Sequence, residues 1–340
     1  MLHLQKASGG QASRMTHRER IAAAIAGEPT DKIPIALWRH FPQADQSAQG
    51  LAEAVIAFQK RFDFDLVKVT PASGYPAEAW GAKLQPKDNE EGTRDYLSRP
   101  IRTFADWHAL HSLDVRQGIL DRELRAFKLI RTGVGPKVHV LQTIFSPLTI
   151  AKQLSGDLWL NDLREHPDAL KGGLKIIAET IARFAQTSLE SGADALFFAT
   201  QLASHDLLST DEYRAFGLEY DRQVLDAIRS RAAFIFLHLH GTKPMFELVD
   251  EYRAQIVNWH DRRTPPSLEQ AKELLKTGAL LGGLDEWGAL SHGSPADVRA
   301  QVQEAIARTG GQRLILGAGC VTLITTPEEN IRAAREAVRA

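Results

Sequence analysis

Short apolar runs that recur between amphipathic helical stretches constrain this chain more than any other feature. The runs at 33–38, 65–70, 138–142, 195–199, 234–238, 256–259, 279–283 and 313–317 are four to six residues long. Runs this short and this apolar read as strands buried on both faces, the condition of a parallel sheet covered by helices. Helical patterns fill the intervals, around 51–61, 119–130, 167–190, 210–229, 244–252, 267–275 and 295–307, with a last one at 327–338. Thr16 and Glu19 form a capping-box pattern that opens an additional helix, closed near Gly27. The stretch 71–100 is rich in turn residues and is expected to hold a small hairpin. Eight strand units favour a closed α/β structure, a (β/α)8 TIM barrel, over an open doubly wound sheet. No strand is followed by the G-x-G-x-x-G turn of a dinucleotide-binding sheet.

Composition removes several function classes. With 44% hydrophobic and 24% charged residues, the 340-residue chain has ordinary soluble-enzyme proportions. A formal net charge of −1 gives no electrostatic footprint for nucleic acid or an anionic membrane. The single cysteine, Cys320, cannot form an internal disulfide, and no apolar run approaches the ~18 residues that span a bilayer. The polar, Gly-rich start reads as a disordered leader over 1–15, followed by one catalytic domain over 16–340. A cytoplasmic location is expected.

In a barrel, reactive side chains gather just beyond the carboxyl ends of the strands. Those positions hold Arg39, His40, Lys68, Thr70, Gln142, Gln201, His205, His238, His240, His260, Asp261, Asp285 and Cys320, including five of the twelve histidines. His238-Leu239-His240 is the sharpest motif, because residues i and i+2 of a strand point to one side and both imidazoles can face one metal ion. Two histidines and a thiolate suit zinc and leave a position for substrate. His260 beside Asp261 reads as an acid/base pair or as a salt-bridged loop. Lys68 reads as a contact for an anionic substrate or as a solvated lysine. Gln142 is a candidate zinc or substrate contact, and Asp285 a substrate contact, a loop cap or the orienter of a histidine. Tyr75, with Trp80, could line an aromatic pocket or pack in the core.

The segment Leu314-Ile315-Leu316-Gly317-Ala318-Gly319-Cys320, followed by Thr326-Pro327-Glu328-Glu329-Asn330, resembles the end of the uroporphyrinogen decarboxylase family, a strand, a Gly-rich turn and T-P-x-E-N. Arg18-Glu19-Arg20 with Gly27 and Pro34, Ser146-Pro147-Leu148-Thr149, Leu208-Ser209-Thr210 and Gly282-Gly283-Leu284-Asp285 resemble further family segments in the same order. The resemblance implies a (β/α)8 barrel. Its decarboxylase branch carries R-x-A-G-R after the first strand and F-S-D after the second. Here Trp38-Arg39-His40-Phe41 keeps one arginine, and Val69-Thr70-Pro71-Ala72 has no Asp. Its cobalamin-dependent methyltransferase branch binds zinc through H-x-C and a Cys in the last Gly-rich turn. His238 and Cys320 match the outer ligands, and His240 stands where that branch has Cys.

The resemblance therefore implies a zinc-dependent methyltransferase, with His238, His240 and Cys320 as ligands. The methyl group would pass between a small methoxylated compound, alcohol or thiol and a corrinoid (cobalamin). No D-x-H-x-x-G motif is present, so the corrinoid is expected on a partner protein. Exchanging a thiolate for an imidazole removes one negative charge and favours a weak oxygen donor. Two alternatives remain at this stage, a metal-free lyase acting on a tetrapyrrole or other carboxylate, and a non-catalytic corrinoid- or tetrapyrrole-binding barrel. A homodimer is compatible with the sequence but not specified by it.

Overall fold

The computed structural model describes residues 14–338. The leader expected over 1–15 falls outside the described residues except at its end, where the Met15 N–H donates to Asp31 at 3.2 Å. Seven strands, β1 (Leu66–Lys68), β4 (His139–Phe145), β5 (Ala195–Thr200), β6 (Ile235–Leu239), β7 (Ile256–Asn258), β8 (Ala279–Leu284) and β9 (Leu314–Ala318), form one parallel sheet in sequence order. The expected hairpin is present as β2 (Lys83–Pro86) and β3 (Arg94–Ser98), paired antiparallel. Every strand of the parallel sheet is buried throughout. This fits the near-continuous apolar runs, since a helix layer covers one face and inward side chains fill the other.

Most helices start near the sequence signals. The pattern at 244–252, however, gives only a 3-10 turn, Phe246–Leu248, and one helical turn, Val249–Tyr252, and that at 210–229 is interrupted at Arg214–Leu218 and ends at Asp226. The first helix, His17–Ala26, has the Thr16–Glu19 capping box and a left-handed Gly27 at its end. Pro167–Glu190 opens with Pro in its first turn. Two shorter helices, Pro147–Ser155 and Leu158–Glu165, precede it and were not anticipated by periodicity.

The apolar run 33–38 departs from expectation. It forms no strand and makes only a single parallel bridge, Ile35 to Leu316. The Ala36 N–H donates to the Leu316 carbonyl at 2.9 Å, and the Leu316 N–H donates to the Pro34 carbonyl at 2.7 Å. On its other side the Asp65 N–H donates to the Ile35 carbonyl at 2.8 Å, while the Ile35 N–H donates to the Asp65 carboxylate at 2.9 Å. A side chain thus takes the bond that a backbone carbonyl would accept in a ladder, and Pro34 offers no N–H at all. The fully buried Asp65 also receives Arg20 and His17 from the first helix.

Strand alternation decides which side chains face inward. Lys68, Thr143, Phe145, Phe197, Ala199 and His238 line a cavity beyond the carboxyl ends of the strands. The hairpin covers it, with Glu91 and Thr93 in the lining. The Ile324 N–H donates to the Glu90 carbonyl at 2.7 Å, tying this cover to the loop after β9.

Candidate metal centre

The cavity measures about 230 Å³ and is lined by His238, His240 and Cys320, with Lys68, Thr70, His40 and Trp287 around them. His238 is the penultimate residue of β6, and its Nε2 lies 3.7 Å from the Cys320 Sγ. One ligating atom each from His240, His260 and Cys320 lies within 4.8 Å of the others. Of the three expected donors, the structure groups His240 and Cys320 with His260, and sets His238 beside Cys320 without placing it in that group.

Hydrogen bonds fix which nitrogen of His238 is available. The Asn258 amide donates through Nδ2 to the Leu281 and Ala318 carbonyls at 2.9 and 3.0 Å. Its Oδ1 must then accept, and it lies 2.7 Å from His238 Nδ1. His238 thus carries its proton on Nδ1 and turns the Nε2 lone pair toward Cys320. Burial, then the neighbouring His240 and His260, pushes the pKa of His238 well below its usual value. Burial and then His260 lower His240 to about 4. Both rings are neutral at pH 7, as ligation requires. Burial, followed by the nearby Glu286, pushes the Cys320 thiol up to about 12. A bound cation reverses that preference by favouring the thiolate.

The carboxylate partner of His260 is Glu286, whose Oε1 lies 2.6 Å from Nδ1. Asp261 does not fill that role, because its carboxylate accepts the Gly283 N–H at 3.1 and 3.2 Å. Burial raises Asp261 to about 7. Asp285 faces away, accepting Arg263 Nε at 2.8 Å and the Trp287 N–H at 3.2 Å. Of the readings given to Asp285 the structure fits the loop cap; the carboxylate that orients a histidine is the next residue, Glu286, which sequence reasoning missed. Asn258 was also missed, although an Asn inside the run Ile256-Val257-Asn258-Trp259 is itself a signal of a buried polar role.

Among the substrate candidates, Lys68 reaches the cavity. It is buried, with Nζ 3.4 Å from Thr70 Oγ1 and 4.6 Å from the centre of the Phe197 ring. Burial lowers its pKa to about 7 against a small opposing pull from Cys320. No carboxylate pairs with it among the described residues. Arg39 does not line this cavity. It donates to the Ile324 carbonyl at 3.2 Å and lies over Phe41 and Phe58, while its neighbour His40 faces inward. Tyr75 is core, donating to the Thr143 carbonyl at 2.9 Å and packing on Phe145 and Phe184. Gln142 is fully buried between Leu141 and the cavity-facing Thr143, and is absent from the lining.

A helix-covered parallel sheet with its polar donors beyond the strand ends defines an α/β protein of the kind whose chemistry sits at the carboxyl ends of the strands. Residues 16–340 match the profile described as "Uroporphyrinogen decarboxylase (URO-D)". The chain belongs to the uroporphyrinogen decarboxylase family. It is 22% identical over 331 residues to methylcobamide:CoM methyltransferase MtbA of Methanosarcina mazei, covering 93% of this chain and 96% of that protein. It is 26% identical over 258 residues to uroporphyrinogen decarboxylase of Microcystis aeruginosa, covering 73% and 71%. A solved methyltransferase structure from Methanosarcina mazei superposes with a TM-score of 0.82 at 22% identity, covering 95% of this chain and 98% of that one, which shows a shared fold.

Proposed function

We propose that this protein is a zinc-dependent methyltransferase that moves a methyl group between a heteroatom of a small substrate and a corrinoid carried by a partner protein. The observation that carries this reading is that His240 and Cys320 lie in one group of ligating atoms, with the His238 lone pair aimed at Cys320 by Asn258. Zinc is the metal that borderline imidazole and thiolate donors suit, and it would supply Lewis-acid polarisation of the substrate heteroatom. The relatives that match across nearly the whole chain are methylcobamide:CoM methyltransferases, which supports the corrinoid as co-substrate.

The chain's own residues then do the following. Asn258 and the strand ends hold the donors rigid. The hairpin and Trp287 restrict water. Lys68, buried against aromatic rings, offers a cation to an anionic part of the substrate. A cavity of about 230 Å³ lies below the ~300–1,000 Å³ of sites for drug-sized ligands, which favours a small substrate over a tetrapyrrole. We further infer that the segment 33–38, hydrogen-bonded to β9 on one side and to Asp65 on the other, closes the sheet as the eighth stave of a (β/α)8 barrel formed by one domain over 16–340. No helix among the described residues is long and apolar enough to cross a membrane, which accords with action in the cytoplasm.

Elemental analysis of the purified protein tests the metal. About one zinc per chain, lost in Cys320→Ala and His240→Ala, is the expected result. Metal-free protein would overturn the zinc reading, and release of CO2 from uroporphyrinogen would replace it with that of a lyase. Methyl transfer to added cob(I)alamin from methoxylated compounds, alcohols and thiols then identifies the donor.

A further inference from the structure

His260 carries an imidazole nitrogen with nothing to do. The residue is only 4% exposed, and its Nε2 is buried without a hydrogen-bond partner among the described residues. Its other nitrogen is committed, because Glu286 Oε1 at 2.6 Å takes the Nδ1 proton. The tautomer this sets leaves a lone pair on Nε2. Most buried polar side-chain atoms are hydrogen-bonded; His40 and His139 also carry an unpartnered nitrogen, but neither belongs to a group of ligating atoms among the described residues. Here the free nitrogen belongs to the group of His240, His260 and Cys320 ligating atoms that lie within 4.8 Å of one another.

Glu286 does a second thing. Its Oε2 accepts the Gly319 N–H at 3.0 Å, one residue before Cys320. The carboxylate is itself buried, and its backbone carbonyl accepts the Ser291 hydroxyl at 2.5 Å. One rigid side chain from the turn after β8 therefore fixes the ring that follows β7 and the thiol that follows β9. Trp287 stacks on the His260 ring, with centroids 4.8 Å apart and planes 18° apart, which further limits its rotation. A carboxylate on the far nitrogen of an imidazole is the arrangement that orients metal-bound histidines and raises their basicity.

We infer that His260, braced by Glu286, is a further donor to the metal ion held by His238, His240 and Cys320. Glu286 is a positioning residue that acts through His260 and through the Cys320 turn. This inference rests on the metal-binding reading above. It gives the site three imidazoles and one thiolate, so the donors bring a single negative charge to the cation. Four such donors would fill a tetrahedral shell, so a substrate heteroatom would enter as a fifth ligand or by displacing one of them.

The test uses the full chain stripped of metal with a chelator, then titrated with Zn2+ against a chromophoric competitor and, separately, with Co2+ as a spectroscopic probe. Wild type is expected to bind one equivalent of each, with a thiolate-to-cobalt band that disappears in Cys320→Ala. His260→Ala should weaken Zn2+ binding at least tenfold and change the Co2+ ligand-field bands while retaining the thiolate band. His260→Asp, which supplies an oxygen donor, should recover part of that affinity with a shifted spectrum. Glu286→Gln should weaken Zn2+ roughly 10–100-fold, the range for outer-shell partners, without changing the number of donors. Asp285→Asn, one residue away but bonded to Arg263, should leave both readouts unchanged. His260→Ala binding Zn2+ within twofold of wild type, with an unaltered Co2+ spectrum, overturns the inference while leaving the three-donor site standing. A wild type that takes up no Zn2+ overturns the metal reading itself. If His260→Ala fails to fold, His260→Asp and Glu286→Gln decide the matter, and wild-type affinity and spectra in both refute it.

Discussion

Replacing Asn258 by Ala removes three hydrogen bonds at once, to His238 Nδ1 and to the Leu281 and Ala318 carbonyls. The residue is fully buried, as is His238, so water cannot substitute without a rearrangement of β7. A net hydrogen bond is worth about 1 kcal/mol, and each buried group left unpaired costs about 1–3 kcal/mol. Three such losses, partly relaxed, amount to roughly 3–6 kcal/mol. Asn258→Asp separates the components. Its carboxylate still accepts the His238 proton, so the lone pair stays aimed at the site, but the two carbonyls lose their donor and a charge is buried. Urea unfolding of apo-protein should show a lowered midpoint in both variants at unchanged slope. Zn2+ competition should show a loss of about 10–100-fold in Asn258→Ala, as expected for a partner that orients a ligand, and a smaller loss in Asn258→Asp. An Asn258→Ala protein within about 1 kcal/mol of wild type in stability, and equal to it in metal affinity, would refute the assignment of the His238 tautomer to this network.

Other outcomes follow from the same geometry. Gly319→Ala puts a Cβ 2.7 Å from the His260 Cα and 3.0 Å from the Trp259 carbonyl, both backbone; it is expected to lower thermal stability and metal affinity together, and calorimetry with metal titration checks both. Asp261 has its pKa raised by burial to about 7, so the folded state holds a proton that the unfolded state has released. Wild-type stability should fall, relative to Asp261→Asn, as pH rises from about 4 to 7, by up to about 1.4 kcal/mol per pH unit; parallel urea midpoints across that window would contradict it. Lys68 is lowered by burial to about 7, so the unfolded state binds the extra proton between about pH 7 and 10.5. Lys68→Met should therefore be more stable than wild type below pH 7, with the gain shrinking as pH rises through that window. The same variant should raise KM for an anionic substrate more than it lowers kcat, which steady-state kinetics would show.

Much of the fold is written in the apolar runs. Seven of them lie where the strands are, because burial on both faces leaves little room for any other composition. The run at 33–38 was misread because its hydrophobicity reports burial, while its pairing depends on Pro34 and on a side chain, Asp65, thirty residues later. The His238 and His240 pair was legible because strand alternation fixes parity within one element. Parity fails in the turns beyond, where His40 rather than Arg39 lines the cavity and Glu286 rather than Asp285 meets a histidine. There a shift of one residue reverses which side chain faces the cavity. His260 stood in the right place with the wrong companion, since the neighbour in sequence, Asp261, turns to Gly283 and the partner in space comes from the turn after β8.

The pairing of Pro34 and Ala36 with Leu316 joins the two ends of the chain. As the polypeptide leaves the ribosome, the segment 33–38 has Asp65 within reach early, yet its other neighbour, Leu316, is made about 280 residues later. Trp38, which packs on Phe197 and Phe236 and whose carbonyl receives Thr322, shares that delay. The wall of the cavity and the Cys320 donor thus arrive in the same final step of synthesis. A chain released before Leu316 would lack both the 33–38 pairing partner and the thiol, so any metal that the proposed donors hold would load only after both have been made.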